Sequence, residues 1–442
     1  MIQLSDHFTY RRLLRFTLPS IVMMVFTSIY GVVDGFFVSN FVGKTSFTAV
    51  NFIMPFLMML GAVGFMLGSG GSALISKTMG EGNPEKAKEL FSLFVCVALG
   101  CGVVIAVLGW VFVRPIAAAL GAEGELLDSC VRYARIVLLA LPPFILQFAF
   151  QSFFVTAEKP QLGLCTTIAA GVTNIVLDTL LVAALRLGLE GAAAATAISE
   201  AVGGILPLIY FSRPNSSSLN LVKPRFDGKS LARACANGSS ELLSNISMSL
   251  VSMLYNVQLM RYAGADGVAA YGVLMYVNFV FLSAFIGYSV GTAPIIGYHY
   301  GAKNHRELHG LLKQSLVILG IFSGVMLLAA EVLSRPLSMM FVGYDPVLLE
   351  MTLRGFFLFS FSFLFAGMAI FGSSFFTALN NGLVSAAISF LRTLVFQTAA
   401  VLLFPLIWDL DGIWLSIVAA ELMAAAVTGV FLATMRKKYG YW

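Results

Sequence analysis

Along the chain, long apolar runs alternate with short polar breaks. The runs fall at about residues 16–40, 47–76, 90–112, 131–156, 161–185, 191–211, 235–260, 268–298, 310–333, 350–378, 383–407 and 412–435. Each is long enough for the roughly 20 helical residues that cross a ~30 Å hydrocarbon core. Lipid offers no partner to a free backbone group, so twelve such runs predict twelve membrane-crossing helices in an all-α protein. Turn signals punctuate them: Glu81-Gly82-Asn83-Pro84, Glu158-Lys159-Pro160, Asn380-Asn381-Gly382 and Asp409-Leu410-Asp411-Gly412.

The longest polar break, residues 212–233, holds Pro214, the Ser216 to Ser218 run, Pro224 and the cations Lys223, Arg225, Lys229 and Arg233. It lies close to the midpoint of the chain, and the two halves resemble each other. A shift of 221 residues without gaps sets Gly43 on Gly264, Gly70 on Gly291, Gly80 on Gly301 and Asn83 on Asn304. The same shift sets Arg114-Pro115 on Arg335-Pro336, Thr156-Ala157 on Thr377-Ala378, Gly191 on Gly412 and Glu200 on Glu421. The expected organisation is a six-helix lobe over 1–211, a connection over 212–233 and a second six-helix lobe over 234–442. Six is even, so the repeats run parallel, about a pseudo-twofold axis along the membrane normal with a central cavity between lobes.

Composition agrees with this reading: mean hydropathy is +0.89 and only 11% of the residues are charged, against about 25% in a soluble domain. With the N-terminus inside, the 27 Lys and Arg residues divide nineteen inside to eight outside, which predicts cytoplasmic termini. No basic block suits nucleic acid. Arg11-Arg12 precedes an apolar run with no polar cleavage region, so it reads as the flank of an uncleaved first span. The five cysteines are scattered without a CxxC pair, and the four histidines lack the spacing of a helical zinc site. Gly68, Gly70 and Gly71 lack the Lys-Ser or Lys-Thr of a phosphate loop and suit close helix packing instead. Neither a metalloenzyme nor a nucleotide-driven pump is indicated, which leaves an ion gradient as the energy source, at about 2.3 kcal/mol per charge per 100 mV.

A charge at mid-membrane costs roughly 2.5–3.5 kcal/mol on the insertion scale, so such residues face a bundle interior and mark pathways. Asp34, Asp178, Glu200, Glu241, Glu331, Arg392 and Glu421 fall within or near spans. Tyr30 and Asp34 are four residues apart, as are Asn174 and Asp178, which puts each pair on one helix face. With Thr196 one helix later, these would form an oxygen-rich site for a hard cation or for a proton shared between carboxylates; the alternative, that either Asp only accepts a hydrogen bond from a neighbouring helix, is weakened by there being two. Under the 221-residue shift Asp34 meets Tyr255, Asn174 meets Val395 and Asp178 meets Ala399. The second half keeps the scaffold and drops the carboxylates, so the cation site is expected in the N-terminal lobe alone.

The runs Tyr30-Gly31-Val32-Val33-Asp34, Asn174-Ile175-Val176-Leu177-Asp178 and Gly191-Ala192-Ala193-Ala194-Ala195-Thr196 resemble the multidrug and toxic compound extrusion (MATE) family. The likeness is closest to its prokaryotic branch typified by DinF- and MepA-like proteins. It covers the full chain, including Pro19, Gly80 with Asn83, and Gly301-Ala302-Lys303-Asn304. The resemblance implies twelve helices in two bundles around a V-shaped cavity, and export of cationic or amphipathic compounds in exchange for H+ or Na+. It also implies a cation site of Asp34, Asn174, Asp178 and Thr196 with Tyr30 in its network. The chain departs from the branch at Thr179, usually Pro, which puts the bend of the helix in question; at Gln151, usually Asn; and at Glu200, usually Gln or apolar.

Polar or mixed positions inside spans are the candidates for the substrate wall: Asn51, Gln147, Gln151, Tyr255, Asn256, Tyr276 and Asn278, each equally open to a structural hydrogen bond. Glu200 is a further cavity candidate: it follows Thr196 by four residues, on the same helix face as the proposed cation site, and is equally open to being a neutral, hydrogen-bonded group. Its repeat mate Glu421 has Arg392 on the preceding helix, and a structural ion pair is expected there, since Arg392 corresponds to Gly171 in the first half.

The leading expectation is a monomeric, proton-coupled (alternatively Na+-coupled) antiporter of organic cations or amphipathic toxins in the cell membrane, without a cofactor. One rival is a flippase for lipids or lipid-linked sugars, which needs cavity cations for pyrophosphate. The other is an intramembrane enzyme using the two aspartates as acid and base.

Overall fold

The computed structural model describes residues 2–441, apart from the side chains at positions 36, 39, 44, 45, 47 and 265. Among these residues the regular structure is helical and forms twelve columns. They are α1 (Tyr10–Val42), α2 (Lys44–Gly80), α3 (Pro84–Ala119), α4 (Gly124–Leu139 with Leu141–Thr156), α5 (Pro160–Ala184) and α6 (Gly188–Ser212). The second set is α7 (228–263), α8 (Asp266–Gly301), α9 (His305–Val342), α10 (Pro346–Ala378), α11 (Gly382–Leu403) and α12 (Pro405–Tyr439). Ten are long and apolar enough to cross a membrane, and α4 is an eleventh if its halves, bent by 60°, count as one span. The twelfth, α7, is more polar because Asn245, Ser247, Ser249, Ser252, Asn256 and Gln258 interrupt its apolar residues. A membrane column tolerates such residues where they face protein or a cavity.

The repeat seen in the sequence is also a repeat of backbone geometry. Left-handed residues recur at one offset: Gly43 (φ 112°) with Gly264 (φ 63°), Gly82 (φ 80°) with Lys303 (φ 56°), and Gly188 (φ 65°) with Asp409 (φ 48°). Asn83 caps α3 by accepting the Lys86 N–H at 3.3 Å, and Asn304 caps α9 by accepting the Glu307 N–H at 3.1 Å. The bend of α4 at Ala140, just before Pro142 and Pro143, has its counterpart in the 3-10 turn Ser360–Ser362 within α10. Proline explains the first, since it removes a helical N–H and clashes with the preceding turn.

Two cores define the two lobes. One gathers side chains from Val38 to Leu219 together with Ala234; the other gathers Val251 to Tyr441. The beginning of the chain crosses over: Leu4, Phe8, Leu13 and Phe16 belong to the second core, as does Val155. The lobes meet closely at glycines. A Cβ on Gly70 of α2 would strike the Ala234 carbonyl of α7, and one on Gly238 would strike the Met66 carbonyl. On α2 and α8, Gly80 sits against Tyr298 and Gly301 against Lys77 in the same manner. Backbones at this spacing leave no room for a side chain, which is how small residues drive helix association in lipid.

Both termini converge on the start of α9. The Phe8 N–H donates to Glu307 Oε1 at 2.8 Å, while His305 Nδ1 meets the Tyr439 carbonyl at 3.1 Å and His309 Nδ1 the Tyr441 carbonyl at 3.2 Å. The close glycine contacts between lobes lie toward this same end.

Candidate functional site: a buried carboxyl cluster in the first lobe

Two helices depart from α-helical winding beside the two aspartates. Val38–Val42, one turn beyond Asp34, and Asp178–Ala184, beginning at Asp178, are π-helical. The widened turns of α1 and α5 touch each other. A π-turn inserts one extra residue into the helix, re-aims the side chains around it, and is frequent at functional sites. Thr179 bears on this: its hydroxyl donates to the Ile175 carbonyl at 2.8 Å, and α5 departs from regular winding at that point without a proline.

Asp34, Asn174, Asp178 and Thr196 are all buried. The Asp34 carboxyl lies beside the Asp178 carboxyl and the Asn174 amide. Asp34 Oδ1, both Asp178 carboxyl oxygens, Asn174 Oδ1, Thr196 Oγ1 and Glu200 Oε2 are enclosed without a hydrogen-bond partner. None of the ion pairs among the described residues involves Asp34, Asp178 or Glu200. An ionised carboxylate only accepts, so adjacent ones repel unless a proton or cation comes between them. Among the described residues no three acidic, histidine or cysteine side chains converge as a metal-ion cage. A bound ion would therefore rest on two carboxylates and on neutral oxygens, a set suited to a hard ion of low charge or to a proton.

Two tyrosines border the cluster. Tyr30 is half-buried, with its phenol near Gln147, Glu200 and Asp34. Tyr133, on the first half of α4, is wholly buried, its hydroxyl near Thr196, Asp34, Glu200 and Asp178 and, like that of Thr196, without a hydrogen-bond partner. Sequence reading missed Tyr133. The signal was the buried face of that helix, Ser129, Cys130, Tyr133, Ala134 and Val137, whose spacing marks Tyr133 as inward-facing.

The candidates for the substrate wall separate into groups. Gln147 and Gln151 lie inside the first lobe, on a void lined also by Phe150, Phe154, Thr166, Thr167 and Gly203 that is too narrow for water. Gln147 Oε1 and both amide atoms of Gln151 find no partner there. Glu200 is buried close to Asp34. Tyr255 is fully enclosed in the second core, its hydroxyl 2.7 Å from Ser416 Oγ and its ring stacked on Tyr271. Asn51, Asn256 and Tyr276 are exposed, Tyr276 stacking on Phe341 at 5.9 Å. Asn278 is half-buried, with its amide 4.0 Å from the Met275 sulfur.

In the second lobe, at the repeat position of Glu200, Glu421 accepts from Arg392 Nε at 2.8 Å and from Nη2 at 2.8 Å. Arg392 sits on a π-helical stretch of α11, Leu391–Phe396. The same repeat position thus carries a neutralised carboxylate in one lobe and a carboxyl without a cation in the other.

A two-lobed, twelve-helix membrane protein with a cation-deficient carboxyl cluster buried in one lobe is built as a secondary transporter. The MatE family profile matches residues 19–180 and again residues 242–402, once in each half. The chain belongs to the MatE family. It is similar to the multidrug export protein MepA of Staphylococcus haemolyticus (strain JCSC1435), 28% identical over 368 residues, covering 81% of this chain and 80% of that protein. It is also similar to the MepA of Staphylococcus aureus (strain bovine RF122 / ET3-1), 24% identical over 439 residues, covering 97% and 94%. Among solved structures it superposes on an outward-facing multidrug resistance MATE family transporter of the MOP superfamily, with TM-score 0.92, 20% identity and 98% of each chain covered. It superposes equally broadly on a MOP superfamily transporter from Pyrococcus furiosus, with TM-score 0.90, 21% identity and 99% and 98% covered.

Proposed function

We propose that this protein is an antiporter that exports cationic or amphipathic organic compounds in exchange for protons, with Na+ as the other candidate ion. Its relatives are named multidrug export proteins, and as a member of this family it is a transporter, not an enzyme. The observation that carries the coupling role is the set of buried carboxyl oxygens of Asp34, Asp178 and Glu200 that have neither hydrogen-bond donors nor a cation. Burying charges without a counter-ion is costly, so such a site is stable with a proton or cation bound and poised to exchange it. Ion binding would favour one arrangement of the lobes and drug binding the other, which couples the two flows.

The lobes are assigned to residues 1–211 and 234–442, joined by 212–233, in a monomer with both termini on the cytoplasmic side of the cell membrane. Tyr30 and Tyr133 border the ion site, and Gln147 and Gln151 flank it within the lobe. Arg392 and Glu421 form a structural pair. That pair also weighs against a flippase for pyrophosphate-linked lipids, because the arginine such a ligand needs is occupied by Glu421. The test is export of a panel of cationic dyes from proteoliposomes with the proton and sodium gradients imposed separately. Export driven by the proton gradient alone supports the assignment; export by neither gradient overturns it.

A further inference from the structure

One arginine on the outward face of the first lobe has no carboxylate. On the first half of α4, Asp128, Arg132 and Leu139 are exposed and Arg135 is half-buried, at spacings of four, three and four residues that trace one helix face. Arg114 pairs with Asp128 at 3.0 Å and Arg132 with Glu190 at 2.9 Å. Arg135 enters no ion pair among the described residues, and its Nε is enclosed without an acceptor. Its guanidinium carbon instead lies over the ring of Trp110 on α3, 4.7 Å from the centroid, which is cation–π distance. A ring satisfies the flat face of a guanidinium but not the N–H donors in its plane.

Helix length gives the depth of this pair. α3 has 36 residues, about 54 Å at 1.5 Å per residue, against a hydrocarbon core of ~30 Å, so about 12 Å projects at each end. Trp110 lies nine residues before the helix ends at Ala119, about 14 Å down. That level is the boundary between hydrocarbon and headgroups, where tryptophan is enriched. It lies at the end opposite the termini, because α3 is the third crossing. Further into the hydrocarbon, Val103 and Val107 of α3 and Leu139 of α4 are exposed.

We propose that the groove between α3 and the first half of α4 seats an anionic phospholipid of that leaflet, with its phosphate on Arg135 beside Trp110 and an acyl chain along Val103, Val107 and Leu139. The ligand chemistry is a phosphate ester, whose oxygens match the planar fork of a guanidinium. An arginine at membrane depth needs a partner, and the protein supplies none here. The two neighbouring ion pairs are each neutral, so the seat carries one positive charge. A headgroup with one phosphate charge cancels it, whereas a zwitterionic headgroup brings an ammonium that competes for the same phosphate. The apolar stripe below the arginine favours a lipid over free inorganic phosphate, which has nothing to place there.

The test uses the full-length chain in nanodiscs, with Trp408→Phe and Trp442→Phe so that Trp110 and the enclosed Trp414 are the remaining tryptophans. Dibrominated phosphatidylglycerol or dibrominated phosphatidylcholine is added at equal fraction to unbrominated phosphatidylcholine, and bromine beside Trp110 quenches its fluorescence. Phosphatidylglycerol should occupy the seat roughly fivefold more than phosphatidylcholine, about what one cation contributes near anionic lipid. Arg135→Gln should abolish that preference, while Arg135→Lys, which keeps the charge but not the fork, should hold an intermediate value. Replacing both members of a neutral pair, Arg132→Gln with Glu190→Gln, should leave the preference intact. Equal quenching by the two lipids with Arg135 present overturns the proposal and makes this arginine a side chain that snorkels to water. Equal loss of preference in the Arg132 and Glu190 double variant overturns it in favour of a diffuse surface field. Relief of quenching by millimolar inorganic phosphate overturns the lipid assignment in favour of a free anion. Should Arg135→Gln fail to fold, the comparison of the two lipids on the chain with Arg135 and with Arg135→Lys still decides. None of these outcomes depends on what the protein transports.

Discussion

Arg392 and Glu421 face each other across α11 and α12 as a fork on a carboxylate, with Nε and Nη2 each 2.8 Å from a Glu421 oxygen. Both side chains are shielded, 15% and 4% exposed, so neither has water as a substitute partner. Removing one partner from a buried pair costs far more than the pair itself contributes, because the remaining charge is stranded. Glu421→Ala is expected to destabilise the protein by about 3–5 kcal/mol. Thermal unfolding in detergent checks it, and an unchanged midpoint refutes it. Pairing Arg392→Met with Glu421→Leu should recover much of the loss.

At the equivalent position of the first lobe, Glu200 has no arginine, and its Oε2 is without a partner. Glu200→Gln is therefore expected to leave the melting point nearly unchanged and to shift the pH profile of export or weaken cationic substrates selectively. An unaltered profile and substrate range would make Glu200 a structural hydrogen-bonding group only.

Asp34→Asn and Asp178→Asn keep shape and remove charge. Each should abolish gradient-driven export while the protein still folds and inserts, read by dye efflux beside size-exclusion behaviour. Export at wild-type rate by both would remove the ion site from these residues.

Tyr255 is the residue whose expected behaviour the structure changes most. Its burial and its bond to Ser416 make it part of the second core. Tyr255→Phe should cost about 0.5–1.5 kcal/mol, toward the lower end, because the Ser416 hydroxyl keeps its bond to the Ile413 carbonyl at 2.6 Å. A changed substrate range with an unchanged melting point would return Tyr255 to the substrate wall.

Burial pushes the Glu158 carboxyl above its ordinary range, with Asp6 adding to the shift, while the Leu4 N–H and Lys159 oppose it. The folded chain thus holds this proton more tightly than the unfolded chain. Stability from this group is greatest below the unfolded value near 4.5 and falls as pH rises through the raised folded value. Glu158→Gln should flatten that part of the curve of melting point against pH, because its amide oxygen still accepts the Leu4 N–H but no longer titrates. A steeper slope in the variant would contradict the sign.

The sequence by itself determined the span pattern, the parallel repeat and the Asp34 and Asp178 faces. Hydrophobic runs, the four-residue helical spacing and a fixed offset are local or strictly periodic properties, and no knowledge of packing is needed to read them. The repeat carried further than residue identity, since Gly188 and Asp409 share a left-handed backbone without sharing a side chain. Tertiary structure alone decided which polar residues meet. Tyr133 comes near Thr196 from another helix, Gln147 and Gln151 turn into the first lobe, and Tyr255 turns into the second core. Periodicity gives the face of a helix but not its neighbour, and in a bundle hydrophobic on nearly every side even the face is weakly marked. The π-helical turns beside Asp34 and Asp178 change that face within one turn and leave no compositional trace. The N-terminal segment is the extreme case: its partners Glu158 and Glu307 lie 154 and 299 residues away, a distance no local pattern spans.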